Sequence, residues 1–410
     1  MIMMKKINEI FSFEKGSLQS TKSIPGNYNF ITASEEWKTH NSFTHECEAL
    51  VFASSASGSL GRIHYINGKF IASDLCYILT PKKKEKVDLV FYWFVFIFLK
   101  EDIVKKTSTG TSKLAINSKN FGNYELPYFD YKYQGKNKEK LLTIDKLRNK
   151  LNCNLEKEIN FLKQLRQAVL QEAVEGKITA DWRKKHFELT SGENSAKNLL
   201  KKIKIEKEQL IKEKKIKNQK SFLPISEEEK PFKLPEDWVW TRLGKVIKIS
   251  SGDGLTSKEM EKDGNVPVYG GNGIAGYHNK PNVSEQTIVI GRVGAYCGSI
   301  HLTESKAWIT DNAFIVFFNK NYINENWLLT LLKSLKLRKK ARETAQPVIS
   351  GKRTYPTIFG FPPLDEQQII ANRLDSLMNI LDELEKQVNE QKKQTEQLIH
   401  SVLWETFEQK

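Results

Sequence analysis

From Leu141 to Val174 apolar residues recur in alternating steps of three and four: Leu141, Ile144, Leu151, Leu155, Leu162, Leu165 and Val169, with Arg148 and Glu158 completing the row. That is a coiled-coil seam with two charged interruptions. The spacing returns at Leu374, Leu377, Leu381, Leu384, Val388, Leu398 and Val402, with Gln391 and Thr395 at polar positions. Each row predicts a helix of about 35 residues. A seam that long must be buried, and the simplest cover is the other row: Leu151, Leu155, Leu165 and Val169 against Leu384, Val388, Leu398 and Val402. Outside these rows the period shortens. Runs such as Ala49 to Ala53, Arg62 to Ile66, Leu75 to Leu79, Val266 to Tyr269 and Thr287 to Ile290 read as strands, separated by Gly- and Ser-rich turns. Glu325 to Ala341 reads as helical. The apolar run Leu89 to Leu99 is bounded by Lys82 to Lys86 and by Lys100-Glu101-Asp102. A membrane span needs about 20 residues, so this run is read as a buried helix.

The pattern occurs twice. Ile31 to Asn41, Gly61-Arg62-Ile63-His64 and Ser73 to Ile78 are answered by Tyr269 to Asn279, Gly298-Ser299-Ile300-His301 and Thr310 to Ile315, at shifts of 237 or 238 residues. A shift of 233 overlays the two seams. The unit of repetition is a mixed α/β domain followed by a long helix. This divides the chain into a first domain (1–140), its helix (141–180), a basic helical linker (181–232), a second domain (233–363) and its helix (364–410). The fold class is α+β, two similar α/β domains with a pair of long coiled-coil helices. Spacing alone leaves parallel and antiparallel pairing open; antiparallel pairing would give the repeat pseudo-two-fold symmetry.

Charge narrows the partners. Lys and Arg number 64 against 49 Asp and Glu, a net +15, which favours a polyanion. The four cysteines are widely separated, with no CxxC and no histidine pair nearby, so neither a disulfide framework nor a metal site is indicated. Met1 to Lys6 leads into polar sequence without the apolar core of a signal peptide, and a cytoplasmic protein is expected.

Candidate chemistry lies in loops. Ser54 to Arg62 and Gly291 to Gly298 combine small residues with one arginine each, which allows close approach to a phosphate backbone or to guanine. Ser57, Ser59, Arg62, Arg292 and Tyr296 are the candidates there. Gly271-Asn272-Gly273-Ile274-Ala275-Gly276 fits GxGxxG, but Tyr277 to Pro281 cannot begin a helix, so it reads as a glycine-rich turn carrying Asn272. Thr107 to Gly122 adds Lys113, Asn117 and Lys119, and Ala345 to Gly360 adds Lys352, Arg353 and Tyr355, all suited to phosphates or base edges. His40 with His278, and Asp74 with Asp311, coincide in the repeat and read as structural. No Walker A, HExxH or GxSxG motif is present, and Phe361-Pro362-Pro363-Leu364 lacks the polar residue and aromatic of an adenine methyltransferase.

Leu234-Pro235-Glu236-Asp237-Trp238 opening a domain, Phe361-Pro362-Pro363-Leu364-Asp365-Glu366-Gln367 closing it into a long helix, and Gly176 to Trp182 after the first helix resemble the specificity subunit of type I restriction-modification systems. The resemblance covers essentially the whole chain. It implies two target-recognition domains, each reading half of a bipartite double-stranded DNA sequence, on two antiparallel helices that set the unread spacer. It also implies two modification subunits carrying S-adenosylmethionine, and restriction subunits using ATP and magnesium. No catalytic residue, cofactor or metal is expected in this chain. The first domain departs from the pattern: it lacks the Leu-Pro-Glu-Asp-Trp opening, and its exit at Tyr124 to Tyr128 lacks the second proline and the Glu-Gln, which points to a shortened opening strand or a misassigned start codon. The competing reading is a scaffold whose heads bind something other than DNA.

Overall fold

The computed structural model describes residues 3–55, 58–110, 114–216, 222–341 and 347–407. The chain divides into two units, Met1–Glu158 with Gln387–Lys410, and Ile159–Lys386.

In the first unit, β1 (Met3–Lys6) leads through α1 (Ile7–Ile10) into β2 (Phe11–Lys15), β3 (Tyr28–Ile31), β4 (Lys38–His40), β5 (His45–Ala53), β6 (Ile63–Ala72) and β7 (Cys76–Pro81). The apolar run becomes α2 (Leu89–Thr107), a buried helix as expected, with Tyr92 and Phe96 wholly enclosed. A short pair, β8 (Ser108–Thr109) and β9 (Ala115–Ile116), then α3 (Ser118–Asn123) and β10 (Glu125–Tyr128), lead to the first long helix, α4 (Tyr131–Val174). Six strands form one sheet in the order β2-β7-β5-β6-β3-β4, while β1 pairs with β10.

The second unit continues with α5 (Ala180–Lys185), α6 (Phe187–Thr190) and α7 (Ala196–Lys212). Its head holds β11 (Val239–Arg242), α8 (Leu243–Val246), β12 (Lys248–Ser251), β13 (Val266–Gly270), β14 (Gly273–His278), β15 (Ile288–Gly291), β16 (Ile300–Leu302), β17 (Trp308–Ile309) and β18 (Ala313–Phe317). It closes with α9 (Glu325–Ser334), α10 (Gly351–Thr354), β19 (Ile358–Phe361) and the second long helix, α11 (Leu364–Phe407). The sheets repeat the first head's order: β12-β18-β15-β16 stands for β2-β7-β5-β6, and β14-β13-β17 supplies the rest. The ten-residue β6 is represented here by two short strands. Ile31 pairs in parallel with Ala72 at its far end, just as Tyr269 pairs with Ile309 of β17.

The first domain's opening strand is not shortened. β1 and β11 are both four residues and pair antiparallel with β10 and β19 in the same way. Nor is the exit glutamine missing. Gln134 accepts from Asp88 N at 2.7 Å and donates to Phe129 O and Lys86 O. Gln367 accepts from Asn324 N at 2.8 Å and donates to Pro362 O and Tyr322 O. Asp88 and Asn324 are the N-caps of α2 and α9, so in each unit one buried glutamine ties the long helix to the head's helix.

Both long helices contain 44 residues, beginning ahead of the apolar rows that announced them. They run antiparallel within each unit: Tyr133 donates to Thr406 O at 2.7 Å in the first, and in the second Arg166 reaches Asp382 at 2.5 Å while Arg373, nearer the start of α11, reaches Asp181 of α5, past the end of α4. The seam is displaced from the row the leucines draw. Leu155 and Val388 are buried, and Val169 and Val402 are half-buried. Leu151, Leu165, Leu384 and Leu398 remain 42, 49, 40 and 66% exposed. The half-buried stripe passes instead through Asn152, Ile159 and Arg166 on α4, and through Glu385, Lys392 and Ile399 on α11. Steps of 3-4 and 4-3 from Arg148 or Leu381 are equally compatible with a heptad, and polar residues that pair across the seam, such as Arg166, decide between them.

The basic helical linker is in part a piece of the second head. Ala196, Leu199 and Ile203 of α7 are buried in the second head's core.

Candidate nucleic-acid interface

In the second head, β15 delivers the chain into the glycine-rich loop after Ile290. A Cβ on Gly291 would lie 2.2 Å from Gly271 O, so only glycine lets this loop approach the Gly271-Asn272 turn that leads into β14. Gly298 adopts φ +87, and a side chain there would strike Arg338 N at 2.5 Å. The loop is then bound to segments distant in sequence. Ile349 N donates to Arg292 O at 2.9 Å and Gly294 N to Pro347 O at 3.0 Å, while the Arg338 guanidinium donates to Ala295 O. The first candidate segment, 291–298, and the described part of the second, 347–360, thus share one surface.

A cleft of about 560 Å³ opens beside them, lined by Asn272, Tyr296, Asn312, Thr310 and glycine backbone. Asn272 and Tyr296 therefore come together at its rim. Arg292 adjoins them but is tethered: Nη1 donates to Ser251 Oγ at 3.0 Å and Asp311 O at 3.1 Å, and the guanidinium lies over Phe314. Lys352 and Arg353 are exposed on α10, and Arg353 Nη1 donates to Ala341 O at 3.2 Å. That bond joins α10 to the turn Leu337–Lys340, which exposes Arg338, Lys339 and Lys340. Lys339, Lys340 and Lys352 are all exposed, and among the described residues none of them forms an ion pair. The Lys336 to Lys340 run was visible in the sequence as a charge cluster, but helical periodicity drew it into a longer helix. Asn312 was missed because only the fold brings it to Asn272.

Tyr355 does not belong to this surface. Its ring packs into the head's core, where a Cβ on Gly244 would lie 2.7 Å from its own Cβ, and its hydroxyl accepts from Ile249 N at 3.0 Å. Burial raises its pKa, as expected for a structural tyrosine.

The first head offers a related surface, with its residues differently placed. Arg62 and Arg292 are not counterparts: Arg62 ends its loop and Arg292 begins its own. Ser54 stands where Arg292 does, its carbonyl accepting from Ile116 N at 2.7 Å. Arg62 Nη1 donates to Ala33 O at 2.9 Å and to Ser59 Oγ at 3.0 Å, so Ser59 serves to hold the arginine. Asn117 is the N-cap of α3, accepting from Asn120 N, while Lys119 is exposed on α3 as Lys352 is on α10. Ser57 and Lys113 lie outside the described residues.

The repeated histidines act as scaffold. His40 Nδ1 accepts from Ile24 N at 3.0 Å, and His278 stands edge-on to Trp308. His64 and His301 occupy matching positions on β6 and β16. Burial first, and then Arg62 or Lys333 respectively, lowers the pKa of each, favouring neutral rings. Asp74 accepts from Ser73 Oγ, and Asp311 serves Arg292 through its carbonyl. No group of His, Cys, Asp and Glu capable of holding a metal occurs among the described residues, and no described helix is long and apolar enough to cross a membrane.

Comparison with known proteins supports one family. A family model described as the type I restriction modification DNA specificity domain matches twice, at residues 2–160 and 235–394. The EcoAI specificity subunit of Escherichia coli is 27% identical over 266 residues, 59% of this chain and 44% of that protein. The chain therefore matches less than half the length of that relative. The EcoDI specificity subunit of Escherichia coli is 24% identical over 429 aligned residues, covering 98% of this chain and 87% of that one. A solved chain from a study of assembly and conformational transition in a type I R-M system shares the fold, with a TM-score of 0.62 at 15% identity over 99% of this chain and 97% of that chain.

Proposed function

This chain belongs to the type I restriction-modification DNA specificity family, and from that premise we propose that it is the DNA-recognition subunit of such a system. Each head reads one half of a bipartite duplex sequence, and the helices fix the unread spacer. The observation carrying this reading is the surface of the second head, where a glycine-built cleft with Asn272, Asn312 and Tyr296 borders the exposed cations Lys339, Lys340 and Lys352. Amides suit base edges, adenine in particular, and the lysines suit phosphates.

The chain supplies recognition and no catalysis. Two modification subunits bring S-adenosylmethionine and restriction subunits bring ATP and magnesium, all within the cytoplasm. Docking of the modification subunits is supported by the apolar side chains left outside the seam. Leu147, Leu151, Leu398 and Trp404 are exposed in the first unit, and Phe161, Leu165, Ile380 and Leu384 in the second.

The test is a competition gel-shift at fixed salt with the modification subunits present. Selective retention of duplexes sharing two short half-sites at a constant separation is expected. Equal retention of every duplex would overturn the proposal.

A further inference from the structure

Besides the face it buries in the head, α7 presents a second stripe, Lys197, Leu200, Lys204, Lys207 and Ile211, to a groove of about 560 Å³. Phe222, Val239, Trp240 and Lys245 complete the lining. From Lys197 to Ile211 the wall extends about 21 Å at 1.5 Å per residue, some four turns of helix. Its chemistry has two parts. Leu200, Ile211, Val239 and Trp240 are half-buried, leaving apolar surface in the groove. Around them stand Lys197, Lys201, Lys204, Lys207 and Lys245, with Glu208 the single acid in the lining. Glu208 engages Lys204 at 3.8 Å, and among the described residues Lys197, Lys201 and Lys245 have no ion-pair partner.

The groove is held ready. Lys207 Nζ donates to Gly244 O at 2.8 Å and Ile247 O at 3.2 Å, fixing α7 to the chain around α8. A preformed wall lowers the ordering cost of binding. The combination also discriminates between occupants. Duplex phosphates would use the cations and leave the apolar lining idle, whereas an amphipathic helix with apolar anchors at i, i+3/i+4 and i+7 and flanking carboxylates uses both.

We propose that this groove docks an acidic amphipathic helix of a partner protein, with apolar anchors on Leu200, Ile211 and Trp240 and carboxylates on Lys197, Lys201 and Lys245. The site is separate from the second head's DNA surface, so its partner binds whether or not DNA is present.

The full-length chain is titrated into a fluorescein-labelled designed helix of about 18 residues with a leucine stripe flanked by glutamates. A control peptide carries lysine at each glutamate position. Saturable anisotropy with the glutamate peptide alone, weakened about tenfold in the Lys197→Glu/Lys201→Glu variant, is expected. Lys245→Glu, outside α7, must weaken it too, which covers any loss of fold in the double variant. Equal binding of both peptides, or indifference to all three substitutions, overturns the proposal. So does failure to bind the peptide while the substitutions weaken capture of a nonspecific duplex, which would make the groove a polyanion track. Self-association lost in the variants without peptide binding would assign the groove to a second copy and overturn it equally.

Discussion

Trp238 donates its indole N–H to the wholly buried carboxylate of Glu366 at 2.8 Å. Thr179 donates to the same carboxylate at 2.6 Å, and Arg183 reaches it at 2.6 Å while also donating to Gly176 O. Gly176 ends α4 with φ +71, and a Cβ there would press Pro235 at 2.8 Å and Trp238 at 2.9 Å. The three motifs that carry the family resemblance therefore meet at one carboxylate.

Glu366→Ala should then destabilise the second unit by about 3–5 kcal/mol, because it leaves Arg183 and Trp238 without their acceptor. Glu366→Gln keeps an acceptor and should cost less. Urea unfolding followed by Trp fluorescence measures both. A loss below about 1 kcal/mol for the alanine variant would show that the motifs do not depend on this junction.

Gln134 and Gln367 permit a paired prediction. Replacing either with leucine strands one buried N–H and two carbonyls, at about 1–3 kcal/mol per unsatisfied group, and the losses should be similar. Hydrogen exchange would show them locally, at Asp88 and at Asn324. Gln367 was legible because it follows Pro-Pro-Leu-Asp-Glu. Gln134 was not, because Tyr133 replaces the glutamate, and the environment that preserves the glutamine is backbone geometry.

The internal repeat, the domain-plus-helix unit and the buried α2 were legible because burial imposes periodicity on apolar residues. The exact seam was not, since Asn152 and Arg166 occupy places that an apolar reading assigns to Leu151 and Leu165. Leucines outside the seam are free for a partner, so Leu151→Asp and Leu384→Asp should leave thermal unfolding of the isolated chain nearly unchanged, within about 0.5 kcal/mol. Both should weaken co-purification of modification subunits. Collapse of the isolated chain with either substitution would return these leucines to the fold.

At the second head, Lys339→Ala/Lys340→Ala/Lys352→Ala should lower the slope of log affinity against log salt by up to about 2.7, near 0.9 for each phosphate that is no longer neutralised. Asn312→Ala should instead relax base preference at one position, with the salt slope retained. Tyr355→Phe discriminates a structural role from a DNA-binding one. It should cost about 0.5–1.5 kcal/mol of stability through loss of the bond to Ile249 N and leave the salt slope intact. Filter binding across a salt series, with unfolding in parallel, measures all three.

Lys207 gives the second unit a pH dependence of definite sign. Burial first, and then the charge of Lys248, bring its pKa from 10.5 down to about 8. Below pH 8 the lysine is charged in both folded and unfolded chains, and its burial opposes folding. Between about 8 and 10.5 the unfolded chain retains a proton that the folded chain has released, so this group's contribution to stability rises with pH. The gain is at most about 1.4 kcal/mol per pH unit, and ends once both states are neutral. Lys207→Met removes the titration together with the bonds to Gly244 O and Ile247 O. The stability of the parent relative to this variant should therefore increase from pH 8 to pH 10 in paired urea unfolding experiments. A difference that stays constant or falls over that interval would mean the ammonium remains charged against those carbonyls, and that α7 is held by a charge-assisted bond throughout.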